Sequence, residues 1–192
     1  MKIFYVADTS LENKSAYSHH VIKMCDAFGQ LNNNVTLVLP NERLKYFNKN
    51  LKTKFLLNSK IPLIIKSIME TGIKNFINRF FFGYKSSLYL KKMRGNLIIT
   101  RSMSTSIFLS IFKIAHFLEI HAEQKSLTKF ILINLNFINS KHIIKIIMIS
   151  KSLSKLYRIN KEKILILHDG VDIKNFKKSK IMIKKKLKLL LT

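Results

Sequence analysis

The feature that most constrains this fold is a series of short, unbroken apolar runs, each closed by polar residues. Ile3-Phe-Tyr-Val-Ala7 ends at Asp8-Thr9-Ser10, and Val35-Thr-Leu-Val-Leu39 stops at Pro40. Further on, residues 96–100 precede Arg101-Ser102, residues 115–120 precede His121, residues 143–149 precede Ser150, and residues 163–167 precede His168-Asp169-Gly170. Runs of this length without polar alternation are the mark of strands buried on both faces, as in a parallel sheet. Helical patterns lie between them. Val21, Met24, Cys25, Phe28 and Leu31 form an amphipathic stripe that stops at Asn32-Asn33-Asn34, where asparagine tolerates the left-handed conformation that ends helices. Strand, helix and strand in so short a span make a βαβ unit, whose crossover is right-handed. The spacing predicts further helices over 105–113, 123–136 and 151–157. The middle predicts a short helix over 44–47 and a short strand over 54–57. Residues 61–94 carry a helical pattern that Gly72 and Gly83 divide into two or three helices. The alternation specifies a doubly wound, Rossmann-like parallel sheet with helices on both faces, and 192 residues suit one such domain.

Charge narrows the partners. Lys and Arg number 35 against 10 Asp and Glu, a net charge of +25. Only Arg43, Arg79, Arg94, Arg101 and Arg158 are arginines. Lys, Ile and Asn share codons rich in A and T, so genome composition alone produces such a skew. The functional alternative is an anionic partner, either nucleic acid or an anionic membrane surface. Sequence-specific nucleic-acid readers lean on arginine for bidentate contacts, so the lysine bias disfavours nucleic acid. Residues 61–94 carry Lys66, Lys74, Arg79, Lys85, Lys91, Lys92 and Arg94 beside Phe80, Phe81 and Phe82. Either these helices lie on lipid through charge and buried Phe, or the Phe pack in the core and the Lys form a solvated face. A non-catalytic basic module of the membrane surface is the alternative functional reading.

The lone Cys25 lies on an apolar helix face, which excludes a disulfide framework and a Cys-based zinc module. The apolar residues before Asp8 are too few for a signal core, and no run of about 18 apolar residues exists to span a membrane. The expected location is cytoplasmic, or peripheral on the inner face of the membrane.

Open parallel sheets bind ligands outside the carboxyl ends of their strands. The polar residues at those ends are Asp8-Thr9-Ser10, Arg101-Ser102, His121, Ser150 and His168-Asp169. A strand-end histidine is either a semi-buried structural residue or a proton carrier. Ser15-Ala16-Tyr17-Ser18 occupies the place of a phosphate-binding glycine loop, and its lack of glycine argues against a dinucleotide site. Walker A, zincin and nucleophile-elbow motifs are absent.

Taken in order, several segments resemble the amino-terminal half of a family 4 glycosyltransferase of the GT-B fold. Lys2-Ile-Phe-Tyr-Val-Ala7 with residues 15–28, including His20-Val21, looks like that family's first strand, loop and helix. Asn34-Val-Thr-Leu-Val38 looks like the second strand, and Leu97-Ile-Ile-Thr-Arg-Ser102 like the strand ending in Arg-Ser. Phe117-Leu-Glu-Ile-His121 resembles the strand ending in Glu-x-His, and Ile147-Met-Ile-Ser-Lys-Ser-Leu153 the strand entering a Ser-x-x-Leu helix. The most specific segment is Ile164-Leu-Ile-Leu-His-Asp-Gly-Val-Asp172 with Phe176.

The resemblance covers residues 1–176 and implies a retaining transferase that moves a sugar from a nucleotide-sugar donor to a glycan or lipid-linked acceptor. It implies that this half holds the acceptor. His121 is then the candidate catalytic residue and Glu119, on the same side of the strand, its support. Ser15, Ala16, Tyr17, Ser18, His20, Arg101, Ser102, Ser150, Asp169 and Gly170 are the candidate substrate contacts. Arg101 either offers charge to an anionic acceptor or pairs with a carboxylate. The commoner Gly-Gly pattern of the family is missing at residues 15–18. The donor-binding half and its Glu-x7-Glu segment are missing too, and residues 177–192 read as a basic linker or tail. The expected chain is therefore either a truncated or split enzyme, inactive alone, or one whose donor half a separate chain supplies. No metal and no cofactor beyond the donor is expected, since GT-B folds generally lack an Asp-x-Asp metal site.

Overall fold

The computed structural model describes residues 1–11, 15–41, 51–69, 73, 75–93, 96–123, 127–157 and 159–168. The elements are β1 (Lys2–Val6), α1 (Ala16–Gln30), β2 (Asn34–Leu39), α2 (Leu51–Phe55), β3 (Ile64–Ser67), α3 (Phe76–Lys91), β4 (Leu97–Thr100), α4 (Met103–Ile111), β5 (His116–Ile120), α5 (Leu127–Asn134), β6 (Ile143–Met148), α6 (Lys151–Lys155) and β7 (Ile164–Ile166). Seven strands form one sheet in the order β3-β2-β1-β4-β5-β6-β7, every pair parallel. The chain winds outward from β1 to β3 and then crosses to β4 on the other side of β1. That reversal opens a crevice at the carboxyl ends of β1 and β4, where such sheets take ligands.

Alternation along the strands decides which helix covers which face. Ile3, Tyr5, Ala7, Leu37, Leu39 and Ile99 pack with Val21, Ile22 and Cys25 of α1. Phe4, Val6, Val38 and Ile98 pack on the other face with Phe82 and Leu90 of α3 and Leu109 of α4. Leu118, Ile120, Ile146 and Met148 extend the core toward β7 with Met103, Ile107 and Leu153. Helix starts are fixed by short polar side chains. Ser15, Asn75, Ser102 and Ser150 each accept the amide hydrogen three residues on, of Ser18, Asn78, Thr105 and Leu153. Asn32, at φ 59°, takes the left-handed turn beyond α1.

Three expectations are corrected. Residues 54–57 are not a strand: Leu51 and Phe55, one helical turn apart, bury together in α2 beneath the α1 face of the sheet. The span 61–94 is not helical throughout, because Ile64–Ser67 is the edge strand β3, paired to β2. Its spacing of Ile64, Ile65 and Ile68 fits either period over so short a stretch, and pairing decides it. Gly83 does not divide the helices but lies inside α3. A Cβ there would stand 2.6 Å from the Ser104 carbonyl carbon, so the glycine lets α3 close on α4. The expected helix over 44–47, the break at Gly72 and the tail over 177–192 lie outside the described residues.

A candidate active site at the switch point

Strands β1, β4 and β5 end side by side, and their last residues meet the first turns of α1. Glu119 is the centre of the cluster. It lies on β5 and is 2% exposed, a position where a carboxylate persists only with partners. Its partners come from three other elements. The Tyr5 hydroxyl of β1 donates to Glu119 Oε2 at 2.6 Å, and His20 Nε2 of α1 meets Oε1 at 3.1 Å. His121 Nε2, just beyond β5, contacts the same oxygen. Arg101 Nη1, just beyond β4, stands 3.8 Å from it. The two imidazoles meet edge to face with centroids 4.3 Å apart.

Burial pushes the Glu119 carboxyl up. The hydrogen bonds from His121, His20 and Tyr5, with the charge of His121, outweigh burial and hold it well below the usual carboxylate range. Glu119 is therefore ionised at neutral pH and can only accept. The Nε2 atoms of both imidazoles that face it therefore donate. The carboxylate fixes tautomer and orientation of two histidines at once. Burial and the neighbouring Glu119 charge push the Tyr5 hydroxyl well above its ordinary value, which keeps it a donor.

A second pair borders the first. Tyr17 of α1 donates to Asp8 Oδ1 at 2.7 Å, and the Arg101 guanidinium lies 4.3 Å from the Tyr17 ring centroid. Arg79 Nε of α3 is 3.9 Å from Asp8 Oδ2. Burial raises the Asp8 carboxyl, and Tyr17 and Arg79 partly offset that rise. Arg101 Nη1 is buried and has no hydrogen-bond partner among the described residues. These groups line a cleft of about 320 Å³ with Phe76, Phe80, Met103 and Ile107. The cleft therefore joins a charged, hydrogen-bonding part, with two arginines beside two carboxylates, to an aromatic and apolar part.

His20, Glu119 and His121 offer ligand atoms within 4.8 Å of one another, a set with the donor chemistry of a divalent-cation site. A cation there would face the Arg101 guanidinium across the oxygen that both share. A larger depression of about 570 Å³ lies beside α1, α2 and β3. Its carboxylate, Asp26, is occupied by the Asn58 and Ser59 amides and by Gln30, so it reads as structure.

The structure brings together His20, Tyr17, Arg101, Glu119 and His121 of the residues expected from sequence. Ser15, Ser102 and Ser150 cap helices, and Ser18 is buried with its hydroxyl on the Ser15 carbonyl. Ala16 is exposed at the start of α1. Asp169 and Gly170 lie outside the described residues. Sequence reasoning missed Tyr5 and Arg79. Tyr5 carried a usable signal, because a tyrosine inside a fully buried strand needs an acceptor for its hydroxyl. Arg79 carried none, being one basic residue among many.

No protein-family model matches the sequence, and no curated protein matches it. Among solved structures, a glycosyltransferase from Rickettsia africae ESF-5 is similar over 88% of this chain, with a TM-score of 0.58 and 15% identity. The chain spans 43% of that protein's length. At this identity the likeness carries the fold: the chain has a Rossmann-like α/β architecture of the kind seen in a glycosyltransferase.

Proposed function

We propose that this chain is the acceptor-side part of a retaining glycosyltransferase of family 4 type, which moves a sugar from a nucleotide-sugar donor to a glycan or lipid-linked acceptor. The observation that carries the reading is the His20–Glu119–His121 cluster, set at the switch point beside a cleft that Glu119, His121 and Arg101 line. His121 is the group nearest the reacting sugar, and an acceptor hydroxyl hydrogen-bonds to an imidazole whose tautomer Glu119 sets. Glu119 is a positioning residue. It also supplies fixed negative charge that stabilises an imidazolium if His121 takes a proton. Arg101 Nη1 suits an anionic group on the substrate, because it is buried with no hydrogen-bond partner among the described residues and has Glu119 only at 3.8 Å.

In this reading the donor half is further polypeptide, either a separate chain or a continuation, and this part alone transfers little because donor and acceptor are not held together. The donor is a co-substrate, and no metal or other cofactor is invoked. The chain works in the cytoplasm or on the inner face of the membrane.

The test is transfer of labelled sugar, from a panel of nucleotide sugars, to membrane and glycan extracts by this chain together with the donor-binding half. The expected result is incorporation that His121→Asn lowers about 100-fold or more, in line with loss of a general acid–base group. Glu119→Gln should change the pH profile of the remaining rate. Incorporation indifferent to both variants, or none from any nucleotide sugar, would overturn the reading.

A further inference from the structure

Helix α3 is apolar on the side that faces away from the protein. Its inner face, against the sheet and α4, is Phe82, Gly83, Ser86, Ser87 and Leu90. Three of those five are small, and the two serines are bonded to Thr105. On the opposite face Ile77, Phe81, Tyr84 and Leu88 are 60%, 55%, 43% and 36% exposed. Their spacing of four, three and four residues sets them in one straight row. A helix on a water-facing surface should carry its polar residues there. At 100° per residue, Lys85 and Lys92 fall along one edge of the row and Lys91 along the other. No acidic residue occurs from Phe76 to Lys92. The row is also continuous with the cleft, since Phe76, Arg79 and Phe80 of the same helix line it. Phe108 and Phe112 of α4 lie against Phe80 and Tyr84 and widen the apolar surface beside the row.

We propose that the outer face of α3 docks on an anionic lipid bilayer, with Ile77, Phe81, Tyr84 and Leu88 in the headgroup–acyl boundary and Lys85, Lys91 and Lys92 on lipid phosphates. The apolar row supplies insertion. The flanking lysines bury their stems and reach the headgroups, which is how interfacial helices bind. A bilayer fits better than a second copy of this chain, because two molecules of net charge +25 repel each other at close approach. Lysine also suits diffuse lipid phosphate, where arginine would mark a defined bidentate site. Docking stands on this surface alone. Its consequence, that an acceptor enters the cleft directly from the bilayer, rests on the glycosyltransferase reading above.

Co-sedimentation with vesicles tests it. The expected result is binding to phosphatidylcholine vesicles containing phosphatidylglycerol and little binding to phosphatidylcholine alone. Phe81→Glu with Leu88→Glu should weaken binding about 10- to 100-fold, the scale of losing two apolar side chains from the interface. Lys85→Glu with Lys92→Glu should abolish the preference for anionic lipid. Both pairs sit on the surface, and unchanged far-ultraviolet circular dichroism and melting temperature would show the fold intact. Equal binding to both vesicle types, no vesicle binding, or full binding by the Phe81/Leu88 variant would overturn the proposal. So would a concentration-dependent dimer that the Phe81/Leu88 variant dissolves. His121→Asn should leave vesicle binding unchanged, so loss of transfer and loss of docking are read separately.

Discussion

Helices α1 and α3 cover opposite faces of one sheet and are built in opposite senses. Helix α1 buries Val21, Ile22 and Cys25 and exposes His19, Ala27 and Gln30. It is tied to the sheet by polar contacts as well, through His20 on Glu119 and Tyr17 on Asp8. Helix α3 turns Gly83, Ser86 and Ser87 inward with Phe82 and Leu90, and sets a row of four large apolar residues outward. It is held by close approach, where Gly83 lets backbone meet the backbone of Ser104. A helical period tells which residues share a face. It does not tell what that face meets.

Four outcomes would sharpen or break this contrast. The largest concerns the polar tie of α1. Glu119→Ala leaves Tyr5, His20 and His121 without their shared acceptor and Arg101 without its counter-charge, and should cost about 3–5 kcal/mol, read from urea denaturation. Glu119→Gln keeps an acceptor oxygen and should cost less. A loss below about 1 kcal/mol in the alanine variant would mean that apolar packing alone holds α1.

Next comes acid, acting beneath α4. His116, buried at the start of β5, bonds Ser106 Oγ at 2.8 Å and the Ile114 carbonyl at 2.9 Å. Burial, helped by the nearby His142, pulls its imidazole from 6.5 down to about 4. Between those values the unfolded chain binds a proton that the folded chain refuses. Stability should therefore fall as pH drops through that window, by about 3 kcal/mol in total. Glu119, depressed in the fold, adds its own loss only at lower pH, below the ordinary carboxylate range. His116→Gln should flatten the slope from pH 6.5 to 4, and an unchanged slope would assign it to other groups.

Glycine separates the two helices directly. At Gly83 an added Cβ would meet backbone, 2.6 Å from the Ser104 carbonyl carbon, and Gly83→Ala should destabilise by about 1–2 kcal/mol despite its better helix propensity. At Gly29 of α1 the closest atom is the Ser59 hydroxyl at 2.4 Å, a side-chain end rather than backbone, which yields at the expense of its hydrogen bonds with Ile61. Gly29→Ala should therefore cost less. Equal melting shifts for the two would contradict a tighter α3 contact. The smallest effect belongs to the outer row, where Phe81→Ala should change stability by no more than about 0.5 kcal/mol. A larger loss would show that the row is covered in the folded protein.

The interior strands were legible because continuous burial writes itself as continuous apolar sequence. The runs at β1, β2, β4, β5 and β6 fell within a residue or so of their observed bounds. The edge strand β3 was not legible, since Ile64 is 55% exposed and only Ile65 is deeply buried. The other edge strand, β7, was legible as the run 163–167, so exposure alone does not decide; at β3 the spacing of Ile64, Ile65 and Ile68 matches both periods. In the site, His121 and Arg101 stood out as polar residues at strand ends, and Glu119 and His20 only through the family resemblance. Tyr5 did not, because its partner is 114 residues away. The adjacent Phe80, Phe81 and Phe82 divide between cleft wall, outer row and core, which no count of aromatics distinguishes.

By itself the sequence determined the parallel α/β order and the strand ends where chemistry gathers. Those properties depend on near neighbours and on burial, which local patterns record. The tertiary structure alone decided that β1, β4 and β5 end together, so that four elements converge on one carboxylate. It alone decided that α3 turns a row of large apolar side chains away from the core. Both depend on which distant surfaces meet, and that is set by sheet order and helix packing together.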